Sequence, residues 1–304
     1  NDINELKNIG SVELIDDLIS FLGKSNKNDF EKLLEKKAGS NALNFVNNQK
    51  GVLYMLEGNP EKAQKAFAQK SEKGDKIISK AIFSNNTLEC FECGTKEIMQ
   101  DKVYEADLFS FIKEDFSVAE LNTYLLELEK MRTDEKQWKA KLANYLLGNY
   151  YFNISNTGYF RGALNEESNC CNGKYFSYYA GDNDKNIPEK IRNRQGYNLF
   201  RVTQYNNRYH YLADKSMKYY QETIETSTDK ELNARCLYMI AKCELNSFYN
   251  NDEDAAYEFE IEYGTIKLPS YSESFEILAD EYSDTKFHQM IISECAYFRL
   301  YSTQ

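Results

Sequence analysis

Proline and glycine are both scarce in this sequence. Three prolines (Pro60, Pro188, Pro269) and 14 glycines stand in 304 residues, where average usage would place about 15 and about 21. So few breakers leave long uninterrupted elements and weigh against a many-stranded β fold, which spends both residues on turns. Histidine is too rare for a metal cluster: His210 and His288 are all there is. Positive charge is short as well, with 37 Lys and Arg against 48 Asp and Glu and a formal charge of −11. That balance weighs against a nucleic-acid groove, which needs a basic face. There is no run of about 18 apolar residues, so no segment reads as a membrane span. The dinucleotide, phosphate-loop, zinc-protease and hydrolase-elbow signatures (GxGxxG, GxxxxGK[ST], HExxH, GxSxG) are missing too.

What is present points first to helices. Val12, Leu14, Ile15, Leu18, Ile19 and Phe21 form one apolar stripe behind a cap at Ser11. Phe30, Leu33 and Leu34 repeat the pattern over 28–37. A helix is predicted from Ser40 to Leu56. Gly58-Asn59-Pro60 then ends it and starts the next, with Asn59 as cap and Pro60 in the first turn. Ser117 and Glu120 form a capping box ahead of 117–131. Further helices are predicted over 134–155, 207–225, 229–248, 252–263, 272–282 and 285–302, with starts at Asp229, Asp252, Ser272 and Asp284 or Thr285. Residues 84–102 and 165–200 lack helical periodicity. The longer of the two reads as an insertion between helices, with a short helical turn or hairpin of its own.

The seven cysteines do not read as a disulfide framework, because their number is odd and Cys236 and Cys243 stand seven apart on one helix face. Cys90 and Cys93 have the spacing of half a zinc site, and Cys170 and Cys171 lie in the other irregular stretch. Structural thiols are the first reading, a disulfide between the two loops the second and a metal the third. Cys236, Cys243 and Cys295 read as small buried hydrophobes. Asp252-Glu253-Asp254 reads as the acidic start of a helix rather than a catalytic pair. Asp182-Asn183-Asp184 opens like a calcium loop but lacks its Gly and Glu. The basic run from Lys190 to Arg201 is read as a contact for a local partner or an acidic helix of the chain itself. The 24 tyrosines divide between two readings, interface residues and fillers at the edge of the core.

The most informative spacing is Gly51, Tyr54, Gly58, Ala63 and Phe67. Small residues let two helices cross closely, a glycine turns the chain between them, and large residues fill the groove. All five sit at the offsets of a tetratricopeptide repeat, and the segment resembles one. Gly148 and Tyr151 echo its first helix, with Ala163 expected on the second. Ala241, Ala255 and Phe259 form another partial match, while Ser216 and Tyr220 look like a second helix without a first. The intervals between units are not multiples of the 34-residue repeat, so insertions are expected. Residues 40–302 also resemble large Tyr- and Asn-rich repeat proteins of the Bacteroidetes cell envelope. The resemblance rests on the Cys90–Cys93 segment, LANYLLGNYYFNIS, ARCLYMIAKCEL and EYSDTKFHQMIISECAYF. It implies a periplasmic or outer-membrane-associated location rather than a cytoplasmic one. A start at Asn1 is in keeping with a removed leader or a piece of a longer chain.

The expectation is therefore an all-α fold: antiparallel helix hairpins stacked as a tetratricopeptide-like superhelix over 1–304, with an irregular insertion at 165–205. The expected function is a non-catalytic scaffold for a protein or peptide, with no cofactor, metal or nucleic acid. Its binding residues are expected on exposed faces of first helices, at Asn44, Asn47, Asn48, Asn144 and Tyr145, and in the insertion at Tyr175, Tyr178 and Tyr179. The alternative is an envelope protein that binds or takes up glycans, with the aromatic insertion gripping sugar.

Overall fold

A computed structural model describes residues 11–69, 77–89, 98–101, 109–133, 139–155, 158, 160, 163–164, 173–177, 200–204, 211–251 and 273–294. The architecture is all-α, built of antiparallel helices stacked on their sequence neighbours. The helices are α1 (Val12–Gly23), α2 (Asp29–Ala38), α3 (Ala42–Leu56), α4 (Pro60–Phe67), α5 (Val118–Arg132), α6 (Ala140–Ile154), α7 (Tyr211–Thr226), α8 (Lys230–Asn251), α9 (Glu273–Glu281) and α10 (Lys286–Glu294). From α3 to α9 each helix that follows another packs on it, and α10 returns to α8.

Local chemistry sets the boundaries. The Asn59 side chain accepts from the Lys62 amide at 3.3 Å, and Pro60 opens α4. Gly58 turns the chain with φ of 70°, a conformation that only a residue without Cβ adopts freely. The Asp229 carboxylate accepts from the amides of Glu231 and Leu232 ahead of α8. Thr285, rather than Asp284, caps α10 through the His288 amide. The first helix of the matched hairpin starts at Ala42 behind Asn41, two residues beyond Ser40. At α5 the capping box is complete: Ser117 Oγ accepts from the Glu120 amide, and the Glu120 carboxylate accepts from the Ser117 amide at 2.9 Å. Ser117→Ala is therefore expected to cost about 1 kcal/mol, measured as a lower urea midpoint with an unchanged slope. An unchanged midpoint would mean that α5 is fixed by its packing alone.

Short strands lie in both stretches without helical pattern, and one further pair flanks the first of them. Strand β1 (Ile77–Ser79) pairs antiparallel with β4 (Asp115–Ser117), and β2 (Asn85–Glu89) pairs with β3 (Ile98–Asp101). Within the expected insertion, β5 (Gly173–Ser177) pairs with β6 (Phe200–Gln204), with Gly173 opposite Gln204 and Ser177 opposite Phe200. A single-turn helix, Lys80–Phe83, joins β1 to β2. The helix expected over 252–263 lies outside the described residues, and so do Cys90, Cys93, Cys170, Cys171, Cys295 and His210. Cys236 and Cys243 are free and buried, as expected of small hydrophobes. Burial pushes the Cys243 thiol up to about 12 and holds Cys236 higher still.

The hairpin of α3 and α4 brings Gly51 against Phe67. A methyl group on Gly51 would lie 2.6 Å from Phe67 Cζ, so the ring occupies the space that a side chain would need. The second crossing corrects the expected pairing. Gly148 of α6 faces Tyr220 of α7, not Ala163, and Ser216 Oγ donates to the Gly148 carbonyl at 2.7 Å. Ser216 and Tyr220 thus stand to Gly148 as Ala63 and Phe67 stand to Gly51. The helix read as lacking a partner is the partner of α6, and the whole of 155–210 lies between the two.

Asparagine and tyrosine build this core. Asn153 Nδ2 donates to the carbonyls of Ile82 (2.9 Å) and Ser84 (2.8 Å), and Asn149 Nδ2 donates to that of Phe83 (2.9 Å). Tyr220 donates its hydroxyl proton to Asn149 Oδ1 at 2.8 Å. Asn122 of α5 reaches back to the Pro60 carbonyl at 3.0 Å. The amides of Asn149 and Asn153 bind carbonyls of the 82–84 turn inside the core, where an unpaired carbonyl is costly.

Candidate functional site

The first turn of α7 meets the end of α5 and the Gly58 turn of the first hairpin at an open cleft of about 490 Å³, lined by Arg132, Asp214, Lys215, Lys218, Tyr219 and Glu222. Spacing on α7 explains part of this grouping. Residues 215, 218, 219 and 222 recur at the three- and four-residue intervals of one helix face. That face adjoins the one carrying Ser216 and Tyr220, which crosses α6. The close crossing thereby fixes where the cleft residues lie.

Tyr219 lines the cleft, and behind it lies the buried Tyr151. Tyr151 of α6 and Tyr219 of α7 stack with centroids 5.5 Å apart and planes 2° from parallel. Lys215 lies over the Tyr151 ring at 4.1 Å, and its Nζ donates to the Tyr151 hydroxyl at 2.9 Å. Arg132 covers the Tyr219 ring at 5.2 Å. Such cation–aromatic contacts strengthen where water is excluded.

Arg132 and the two lysines differ electrostatically. Arg132 is matched by two acids, Glu129 at 2.6 Å and Glu222 at 2.8 Å. The Tyr219 hydroxyl also donates to Glu129. Burial, helped by the charge of Glu129, holds that phenol far above its usual range and therefore protonated. Among the described residues, no carboxylate lies within ion-pair distance of Lys215 or Lys218. Burial pushes the Lys215 amine below the ordinary lysine value. Half-buried and short of a counter-ion, this ammonium is the group in the cleft with most to gain from an incoming anion. Lys218 is exposed at the rim.

The residues expected to bind a partner lie elsewhere, and three are not on a surface. Asn47 is buried and donates to the Leu43 carbonyl of its own helix at 3.0 Å. Asn144 and Tyr145 are buried in α6, which runs between α5 and α7 and is covered on every side from Leu142 to Ile154. Tyr145 packs on Tyr220 with centroids 6.1 Å apart. The physical reason is that α6 carries large apolar side chains on every face between its asparagines, and a helix of that kind sits inside a stack rather than lining a groove. Asn44 and Asn48 are half-buried on α3, away from the cleft lining. Tyr175 falls in β5, while Tyr178 and Tyr179 lie outside the described residues. Tyr150, Tyr151, Tyr219 and Tyr220 are buried as well, so among the described residues the tyrosine excess fills the core.

The sequence reading missed the cleft. Its visible signal was ADKSMKYY, two lysines and a tyrosine on one face of a helix. The partners of that face, Arg132 and Tyr151, are far away along the chain. Among the described residues no helix is long and apolar enough to cross a membrane. Compared with protein-family models, curated proteins and solved structures, the chain matches none.

Proposed function

We propose that this chain is a non-catalytic scaffold of tetratricopeptide type that holds a carboxylate-bearing peptide segment of a partner protein in the α5–α7 cleft. The observation that carries the reading is Lys215, half-buried and without a carboxylate partner, beside Lys218 in an open cleft of a chain with formal charge −11. A carboxylate entering there gains two ammonium donors and displaces none of the acids that already hold Arg132. Stacking on the buried Tyr151 gives Tyr219, in the cleft wall, the rigidity that recognition of an extended segment needs. The family reading is supported by the repeat spacing and by the Gly51–Phe67 and Gly148–Tyr220 crossings, which set two helix hairpins at close range.

A random peptide library displayed on phage and panned against the chain tests this. Enriched sequences are expected to carry Asp, Glu or a free terminal carboxylate. Lys218→Glu, at the exposed rim, should weaken an enriched peptide by roughly ten-fold without changing the melting temperature. Lys215→Met should weaken it at least as much. Affinity should also fall at alkaline pH. The free amine loses its proton below the ordinary lysine range, while a bound carboxylate keeps it on, so binding is constant below that lowered value and declines above it. Enrichment of neutral or basic peptides, or affinity indifferent to both substitutions, would overturn the proposal.

A further inference from the structure

Helix α2 has no buried residue. Its apolar side chains Phe30, Leu33 and Leu34 are 66 %, 51 % and 41 % exposed, and they stand at i, i+3 and i+4, on one stripe. The helix begins well, with Asn28 and Glu31 forming a capping box. It is tied to the chain before it by Lys24–Glu31 at 2.7 Å and Lys27–Glu35 at 2.9 Å. Ten residues are nevertheless too few for a helix to hold itself in water, where the marginal length is about 12 to 15. An exposed helix face is normally polar, and this one presents a phenylalanine and two leucines.

The charges on α2 identify what covers that stripe. The helix carries Asp29, Glu31 and Glu35 against Lys32, Lys36 and Lys37, so it is neutral within a strongly acidic chain. The acids of the first turn are Asp29 and Glu31, and the bases of the last turn are Lys36 and Lys37. A pattern that runs from acid to base along a helix is complementary to itself reversed. With a two-fold axis between Leu33 and Leu34, Leu33 of one copy faces Leu34 of the other and Phe30 lies along the aliphatic stem of Lys37. Asp29 and Lys36 share one flank of the stripe, so each Asp29 comes beside Lys36 of the second copy. A parallel pairing would set like on like.

We propose that α2 is a self-association surface, pairing antiparallel with α2 of a second copy of this chain about a two-fold axis. One short helix from each copy makes a small interface, of the size found in transient complexes. The dimer should therefore dissociate on the order of tens of micromolar. Sedimentation equilibrium of the chain over a concentration range from about 1 to about 500 micromolar tests it. A reversible monomer–dimer equilibrium is expected. Leu33→Glu, at an exposed position, should weaken the dimer at least ten-fold while leaving the melting temperature of the rest of the chain in place. Lys36→Glu should weaken it by bringing Asp29 against an acid, and the exchanged pair Asp29→Lys with Lys36→Glu should restore it. A chain that stays monomeric throughout would overturn the proposal, since the stripe would then be covered by another part of the chain or another partner. A dimer indifferent to Leu33→Glu, or a swap that fails to restore pairing, would overturn it as well.

Discussion

Asn153→Leu is expected to cost roughly 2–5 kcal/mol of stability, because two buried carbonyls each lose a donor at about 1–3 kcal/mol. The side chain keeps the same number of heavy atoms, but its two methyl groups are bulkier than a planar amide, so overpacking at this fully buried position adds to the lost hydrogen bonds. In the native protein Asn153 Nδ2 bridges the Ile82 and Ser84 carbonyls at 2.9 and 2.8 Å. Both belong to a single turn at 80–84 that lies against α6. Leucine cannot donate, and the crowded interior around Ile82, Phe83 and Phe152 leaves no route for water to stand in. Among the described residues Asn153 Oδ1 has no partner, so its removal returns a little of the loss. The check is the urea midpoint together with amide exchange of residues 80–84, which should accelerate in the variant ahead of α8. A midpoint shift under about 1 kcal/mol would mean that the turn is held by Phe83 alone. Asn149→Leu belongs to the same experiment. It removes the donor to Phe83 and also the acceptor for the Tyr220 hydroxyl, so its effect should couple to substitutions at Tyr220.

These asparagines show where sequence reasoning works and where it stops. Helix existence was legible because caps and apolar spacing are local: Ser11, Asn59, Ser117 and Asp229 each start a helix where the pattern places one. The first crossing was legible because Gly51 and Phe67 lie on either side of a short turn. The second was half legible. Gly148 and Tyr220 each carried a signal, but 71 residues separate the adjacent Asn149 from Tyr220, and no local rule joins a small residue to a ring across that distance. Polarity misled the choice of binding residues. An asparagine on an apolar helix can face a partner or can clamp backbone inside the core, and only the neighbouring chain decides. Asn144 and Asn149 lie on one helix whose surroundings come from α5, α7 and the 80–84 turn. The cleft was illegible for the same reason, since Arg132, Tyr151 and Lys215 come from three helices.

Gly148→Val is expected to be strongly disruptive, at roughly 3 kcal/mol or more, the upper part of the range for overpacking. Replacing a glycine inside a helix ordinarily helps: alanine is favoured there by about 1 kcal/mol. Here a methyl group would lie 2.7 Å from Tyr220 Cε1 and 2.9 Å from Cδ1, and valine adds two more carbons on the same side. Relief would require the ring to move, and Tyr220 is held at three points. Its hydroxyl is bound to Asn149, its face packs on Tyr145, and its neighbour Ser216 is tied to the Gly148 carbonyl. The Gly51 crossing is less constrained, because Phe67 is the last residue of α4 and its ring makes no hydrogen bond. Gly51→Val should therefore cost less than Gly148→Val. The decisive measurement is a double-mutant cycle with Tyr220→Leu, which alone destabilises by opening a cavity and orphaning Asn149 Oδ1. In the Gly148→Val background the same change should cost at least about 1 kcal/mol less, a coupling that only residues in contact show. Additive effects, or a Gly148→Ala variant more stable than the native chain, would show that α6 and α7 do not cross at this glycine. The position of Lys215 over Tyr151, set by that crossing, would then have to be redrawn with it.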